Sequence, residues 1–271
     1  MKDLIIVRGG GDIATGIIYK LYQCGFSVLV LETNKPSAIR RNVAYSEAVY
    51  QGQQKVEDVI CYLAENLENA KDLLEQKKLT MLIDPKGESI QSLKPIAVVD
   101  AILAKRNLGT TKNMAGIVIG VGPGFEAGKD VHAVIETMRG HRLGRIIYDG
   151  AAIKNTGIPG MIGGYAKERV IYSPVKGTLH TIRQIADVVK KGEVIAYVEN
   201  QKEKRFVYAT IDGILRGLLP DGYEVTEGFK MADIDPRIDE YENCFLISEK
   251  ARCIAGGVLE AILHLRRGKH D

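Results

Sequence analysis

The stretch LIIVRGGGDIATG, residues 4–16, decides how the rest of the chain is interpreted. Its leading apolar run is typical of a buried parallel strand, three glycines follow, and a helical pattern begins at Ile13. The spacing Gly9-x-Gly11-x-x-Ala14 matches the dinucleotide-binding pattern G-x-G-x-x-G/A. In that pattern the glycines permit a tight turn and a close approach to a pyrophosphate, and the third small residue packs the helix on the strand.

The next strand supplies a second group that a dinucleotide needs. Ser27–Leu31 is apolar and ends at Glu32, where a ribose-binding carboxylate is expected. Arg40 and Arg41 follow and could donate to further phosphate oxygens, although a solvated basic pair explains them equally well. The predicted site comprises Gly9, Gly10, Gly11, Asp12, Ile13, Ala14, Glu32, Arg40 and Arg41. The alternative is a glycine-rich turn that binds nothing.

The composition is ordinary for a globular protein. The 271 residues, 45% hydrophobic and 26% charged, suffice for two domains. A net charge of +3 is too small to indicate nucleic acid or an anionic membrane as a partner. There is no signal-peptide pattern and no run near the ~20 apolar residues of a membrane helix. The four cysteines lack the spacing of a zinc site or a disulfide framework, so we expect a cytoplasmic protein without a metal.

The first part of the chain alternates apolar strand patterns with helical ones, which favours a Rossmann-like parallel sheet with helices on both faces. A second glycine-rich turn, Gly122–Gly128, follows the last of these strands. Because ligands bind outside the carboxyl ends of such strands, Gly122 and Gly124 are predicted to share the crevice of Gly9. The elements predicted after the second strand are helices over Val56–Leu74 and Ala97–Ala104 and strands over Leu79–Ile83 and Gly116–Val121.

A polar cluster comes next. His132 and Glu136 would share one face of a helix, and His141 follows, so these three are the candidates for proton transfer. No zinc spacing is present, and Arg139, Arg142 and Arg145 could instead build an anion pocket. The remaining alternative is a polar helix face with capping contacts.

From Ile171 the pattern changes to short strands, and it repeats. Tyr172–Leu179 corresponds to Tyr208–Leu215 at an offset of 36 residues, and Val189 and Gly192 correspond to Val225 and Gly228. This duplication predicts a small all-β barrel, and the pattern resembles biotinyl/lipoyl-type domains. Lys202 and Lys204 lie near the expected hairpin without the motif of a modified lysine, so covalent biotin or lipoate is not expected.

The predicted organisation therefore has three parts. Residues 1–165 form a Rossmann-like nucleotide-binding domain, and residues 166–237 form a duplicated biotinyl/lipoyl-like (barrel-sandwich hybrid) domain. Residues 238–271 contain a closing helix over Ser248–Arg267 that packs back on the first domain, with Gly256 and Gly257 at a close approach.

These motifs together resemble the YqeB-type proteins that accompany selenium-dependent molybdenum hydroxylases. The resemblance spans nearly the whole chain. The segments that carry it are Val7–Gly16, Arg40–Arg41, Glu47–Tyr50, Gly122–Phe125, His132–Gly144, Asn155–Gly160, Asp212–Leu218, Lys230 and Asp233–Arg237.

The resemblance implies an accessory role in maturing such a hydroxylase, together with other maturation factors, and it assigns no catalytic residue. Hydroxylases of this type commonly use molybdopterin cytosine dinucleotide, whose pyrophosphate would suit the Gly9–Ala14 turn. Two alternatives stay open: an NAD(P)-dependent oxidoreductase with His132 or His141 as proton donor, and a non-enzymatic scaffold that docks the apo-hydroxylase. A homo-oligomer also stays open.

Overall fold

The structure is a computed structural model that describes residues 3–157 and 160–267. Ile158 and Pro159, within the Asn155–Gly160 motif, lie outside the described residues. The chain forms two compact units. Unit 1 comprises Met1–Pro36, Ala44–Thr156 and Ile247–Asp271, and unit 2 comprises Ser37–Val43 and Gly157–Leu246.

Unit 1 is built on one nine-stranded sheet with the strand order β10-β9-β7-β6-β1-β2-β5-β4-β3. Its strands are β1 (Leu4–Arg8), β2 (Ser27–Glu32), β3 (Gln53–Val56), β4 (Val59–Ala64), β5 (Leu79–Ile83), β6 (Ala97–Asp100) and β7 (Ile117–Val121), followed by β8 (Glu126–Ala127), β9 (Ala133–Ile135), β10 (Ile146–Ile147) and β11 (Gly150–Ala151). Its helices are α1 (Asp12–Gln23), α2 (Ala48–Gln51), α3 (Leu67–Glu75), α4 (Ser89–Leu93) and α5 (Glu249–Arg267). Strands β8 and β11 pair separately with each other.

The centre of this sheet follows from uninterrupted apolar sequence. All five residues of β1 are buried, and β1 pairs in parallel with β2 on one side and β6 on the other. Strands buried on both faces need continuous hydrophobic runs, and β1, β6 and β7 have them. The strand order therefore reverses at β1, and the turns after β1, β6 and β7 emerge at one edge.

Helices α1 and α5 pack closely on each other in unit 1. A Cβ placed on Gly16 would lie 2.8 Å from the carbonyl carbon of Ala251, so the two backbones touch. At the other end of the pair, Arg266 of α5 donates to Asp3 at 2.9 Å. Both contacts together show that α5 runs parallel to α1, with both helices starting at the carboxyl edge of β1.

Unit 2 contains two four-stranded antiparallel sheets, with the orders β12-β19-β17-β14 and β16-β15-β13-β18. Strands β13, β14 and β15 begin 36 residues before β17, β18 and β19, as at Gly177 and Gly213, while β12 begins 34 residues before β16. Each sheet therefore takes strands from both copies of the repeat. The strands are β12 (Val170–Tyr172), β13 (Gly177–Thr181), β14 (Val188–Val189), β15 (Val194–Glu199), β16 (Lys204–Tyr208), β17 (Gly213–Leu218), β18 (Glu224–Val225) and β19 (Lys230–Asp235).

The predicted fold class is wrong. The large sheet is mixed, because β3 pairs antiparallel with β4 and β10 pairs antiparallel with β9. No α-helix lies between β6 and β7 or between β7 and β9, all of which are within the described residues. The second region has two four-stranded antiparallel sheets where a biotinyl/lipoyl-like (barrel-sandwich hybrid) domain was predicted.

Two predicted helices contain strands, which contributes to the misassigned fold: Val56–Leu74 is helical only from Leu67, where α3 begins, and Ala97–Ala104 contains β6. Val56, Val59, Ile60 and Leu63 have helical spacing, yet Glu57 adopts a left-handed conformation (φ 53°) and the chain folds into the β3–β4 hairpin. Ala97–Ala104 begins with four fully buried residues that form β6. Short apolar runs buried on all sides fit either structure, so periodicity cannot separate them.

Candidate functional site

The three glycines after β1 form a turn that is tied to its neighbours by main-chain bonds. Gly9 donates to the carbonyl of Leu31 at 2.8 Å, and the carbonyl of Gly10 accepts from the amide of Ser46 at 2.8 Å. A Cβ on Gly9, which has φ +93°, would lie 2.9 Å from Cα of Ile102. The first two glycines are therefore required by contacts within the protein itself.

The third glycine is different. Gly11 is the N-cap of α1, no side chain caps the helix there, and nothing lies within 4 Å of where its Cβ would be. An uncapped helix start carries unsatisfied amides and a positive partial charge, which attract anions. Asp12 opens the first turn, and its carboxylate accepts from the amide of Ile13 at 2.9 Å. The approach to Gly11 is open, with one acid beside it.

Glu32 lies beside this turn, where it binds main-chain amides. Its carboxylate accepts from Gly10 at 2.8 Å and from Thr33 at 2.7 Å. Burial raises the pKa of Glu32, and those two amides act in the opposite direction. The acid therefore holds the glycine turn in place, in addition to any contact with a ribose.

The loop after β6 fills the space between the two glycine-rich turns. This loop contacts Gly9 through Ile102 and approaches Gly122 through Leu103. The backbone of Arg106, in the same loop, lies 2.7 Å from the Cβ position of Gly124. Gly122 is also packed against Thr137, and its amide donates to the carbonyl of Ile135 at 2.8 Å. Parallel pairing puts both turns at one edge of the sheet, but protein atoms explain the need for glycine at Gly122 and Gly124.

A buried charged network lies under this edge. Arg8 at the end of β1 is 2% exposed, and its guanidinium lies 3.7 Å from the carboxylate of Asp100 at the end of β6. Thr110 donates to Asp100 at 2.5 Å and accepts from Arg8, which also donates to the carbonyl of Pro85 at 3.1 Å. This network was not predicted from the sequence. The one sequence feature that indicates it is Arg8, a charged residue at the end of an otherwise apolar strand.

The histidine candidates do not form the predicted cluster. The segment around them is β9 and turns, so His132 and Glu136 lie at opposite ends of a short strand, about 13 Å apart at the usual rise per residue. His132 Nδ1 accepts from the amide of Val118 at 2.9 Å. Glu136 is buried and accepts from the amides of Thr137, Met138 and Ile153, while His141 is exposed in the following turn. The helical premise for this site is wrong.

Lys250 is a further charged group near the start of α1. It is half-buried on the first turn of α5, and burial lowers its pKa, as does the charge of Arg139. Asp12 and Glu136 act in the opposite direction, and Arg139 itself pairs with Glu249 at 2.6 Å. This lysine could have been found only from the packing of α5 on α1, which sequence spacing does not reveal.

Arg40 and Arg41 belong to unit 2, where both bind main-chain carbonyls. Arg40 donates to Asn243 at 2.9 Å, and Arg41 donates to Leu218 at 2.9 Å. In the same unit Arg216 occupies a bulge in β17 and bonds both Asp233 and Asp235. The predicted phosphate contact of Arg40 and Arg41 stays a prediction.

The described residues do not support a metal site, or a reactive thiol at Cys61 or Cys244. Among them, no group of three or more His, Cys, Asp or Glu side chains could hold a metal ion. Burial raises the pKa of Cys61 and of Cys244, which holds both thiols in the less reactive protonated form. Within residues 3–157 and 160–267, no helix has the length and apolarity needed to cross a bilayer.

Comparison with known proteins identifies one curated relative. The chain is 48% identical over 263 residues to "Uncharacterized protein YqeB" of Escherichia coli (strain K12), and 97% of the chain is aligned. The resemblance to YqeB-type proteins is thereby confirmed. The chain spans 48% of that relative's length, and the relative's name states no activity. No protein-family model matches the chain.

Solved structures offer weaker likenesses. The chain is 14% identical to the product-bound ectoine utilization protein EutE (DoeB) from Ruegeria pomeroyi, covering 86% of this chain and 58% of that one with a TM-score of 0.25. It is 10% identical to an aspartoacylase family protein from Mesorhizobium loti, covering 86% of this chain and 85% of that one with a TM-score of 0.29. TM-scores this low do not establish a shared fold.

Proposed function

We propose that this YqeB-type chain is an accessory protein in the maturation of a selenium-dependent molybdenum hydroxylase, and that it binds a dinucleotide-type cofactor at Gly9–Ala14. Molybdopterin cytosine dinucleotide is the favoured ligand, and NAD(P) is the alternative. The accessory role is what membership of the YqeB-type family implies. The name of the Escherichia coli relative itself states no activity. The binding role has separate support in unit 1.

The observation that carries the binding proposal is the open N-terminus of α1. Nothing lies within 4 Å of the Cβ position of Gly11, which has no side chain to cap the helix, and Asp12 binds one first-turn amide, that of Ile13. The turn leaves β1, the strand at which the sheet order reverses, and such switch points are where open α/β sheets bind ligands. A pyrophosphate would meet main-chain amides there, with Glu32 fixing the glycine turn from beneath.

The test fills the open space at Gly11 with a side chain. Gly11 has φ −66° and ψ 179°, which any residue can adopt, so Gly11→Leu should fold. We expect it to weaken binding of NAD+, NADP+ or CDP by at least about tenfold, because a leucine would occupy the space that the pyrophosphate needs. Isothermal titration gives the affinities, and native mass spectrometry of freshly purified protein reports a co-purified cofactor.

Gly256→Leu is the matched control, since Gly256 also faces open space but lies within α5. It should leave the affinity unchanged. The binding proposal fails if wild-type protein binds none of these probes and carries no dinucleotide, or if Gly11→Leu binds as tightly as the wild type. Oxidation of NADPH by an added hydride acceptor in the presence of the protein, measured as loss of nicotinamide fluorescence, would favour the oxidoreductase alternative instead.

A further inference from the structure

A second cleft lies elsewhere in unit 1. It runs along α4, has a volume of about 600 Å³, and ends where Pro95 leads into β6 and Gly116 leads into β7. That end is the amino-terminal edge of the sheet, whereas the glycine turns emerge at the carboxyl edge. The volume lies within the range of small-molecule sites, about 300–1,000 Å³. The lining residues used below are Ile90, Gln91, Lys94, Pro95, Asn113 and Met114.

The amino-terminal end of α4, which forms one wall of the cleft, is fixed by hydrogen bonds. Asp84 accepts from the amides of Gly87, Glu88 and Ser89 and from the hydroxyl of Ser89, at 2.7–3.0 Å. A wall held in this way needs little ordering at that end when a ligand binds, which favours affinity.

The lining combines apolar side chains with two amide side chains, the cation of Lys94 and the carboxylate of Glu88. Met114 is half-buried, whereas Ile90 and Pro95 are buried, and methionine sulfur contacts aromatic rings favourably. Gln91 and Asn113 each present a donor beside an acceptor, the arrangement that pairs with the N6 and N7 edge of adenine. The ammonium of Lys94 adds a partner for a phosphate group.

We propose that this cleft binds an adenine mononucleotide, with the base on Met114, its edge on Gln91 or Asn113, and its phosphate on Lys94. The site is separate from the one at Gly9–Ala14 and needs neither the accessory role nor the dinucleotide. It adds a nucleotide-responsive position to the opposite edge of the same sheet.

The experiment titrates the full chain with AMP, adenosine and CMP by isothermal calorimetry. Lys94→Met should weaken AMP binding by about tenfold and leave adenosine nearly unchanged, because only AMP carries the phosphate. Met114→Trp should abolish binding of both by filling the cleft, and Gln91→Leu, an exposed position that should fold, should reduce the preference for AMP over CMP. Lys71→Met is the control, since Lys71 lies on α3 and pairs with Glu68, and neither residue lines the cleft.

Three results would overturn the proposal. One is a wild-type chain that does not bind AMP, and another is AMP binding that Lys94→Met and Gln91→Leu both leave intact. The third is AMP binding that Gly11→Leu abolishes and Met114→Trp does not change, which would place the nucleotide at the glycine turn. The last result would leave the dinucleotide proposal standing, so the two proposals fail separately.

Discussion

Glu32 shows at the scale of one residue how a functional pattern can also serve the fold. The dinucleotide pattern assigns this acid to a ribose, while the structure shows it accepting from the amides of Gly10 and Thr33. Its carboxylate is partly buried, and this burial raises its pKa, so it ionises at a higher pH than that of a free glutamate. The contribution of Glu32 to the free energy of unfolding should therefore depend on pH.

We expect Glu32→Gln to become more stable relative to the wild type as pH rises from about 4 to about 7. A carboxyl whose folded-state pKa lies above its unfolded value stabilises the fold at low pH, and loses that contribution as pH rises through the folded value. Glutamine keeps an oxygen that accepts from Gly10 and does not ionise. Urea unfolding at several pH values measures the difference, and a difference that is constant across this range would contradict the expectation.

At the scale of the element, α5 packs on the rest of unit 1 through residues without side chains. Gly16 of α1 touches the backbone of Ala251, and Gly257 of α5 is so close to the carbonyl of Gly144, before β10, that a Cβ there would overlap with it. A close approach was predicted at Gly256 and Gly257. The structure assigns it to Gly257, while Gly256 faces open space.

Gly16→Ala should therefore lower the free energy of unfolding by about 1–3 kcal/mol, because the added methyl forces the two helices apart. Gly256→Ala, in the same helix pair, should instead raise it by up to about 1 kcal/mol, since alanine is the better helix former and meets no neighbour. Denaturant unfolding of both variants compares them directly. Equal effects at the two positions would show that helix propensity, and not packing, decides them.

How far the sequence predicts these elements depends on length and flanking signals. Helices α1 and α5 and strands β1, β2, β5 and β7 match their predictions, because each has a long or well-bounded apolar pattern. Strand β6 and the β3–β4 hairpin were missed, since Ala97–Asp100 and Val56–Leu63 fit either periodicity. The site is less predictable still, because the contacts of Arg8 with Asp100 and of Gly16 with Ala251 join distant parts of the chain.

At the scale of the whole molecule, the repeat in unit 2 extends to single contacts. A Cβ on Gly177 would overlap with the carbonyl of Glu199, and a Cβ on Gly213 would overlap with that of Asp235. Both pairs are related by the same offset of 36 residues as the strands. Gly192 and Gly228, also one repeat apart, both have positive φ and open surroundings.

The two copies should therefore respond alike to substitution. Gly177→Ala and Gly213→Ala should each destabilise unit 2 by about 1–3 kcal/mol, because a methyl would displace a neighbouring strand. Gly192→Ala and Gly228→Ala should cost about 1–2 kcal/mol from backbone strain alone. Thermal and urea unfolding of the four variants tests this, and an unequal response within either pair would show that the copies are no longer equivalent.

The division of the chain also determines which of the two units is completed first during synthesis. Unit 1 receives its last helix from the segment that begins at Ile247, after the ribosome has made all of unit 2. Until α5 emerges, the face of α1 around Gly16 lacks the backbone on which it packs in the finished protein. The segment that completes unit 2 therefore leaves the ribosome before the helix that completes unit 1.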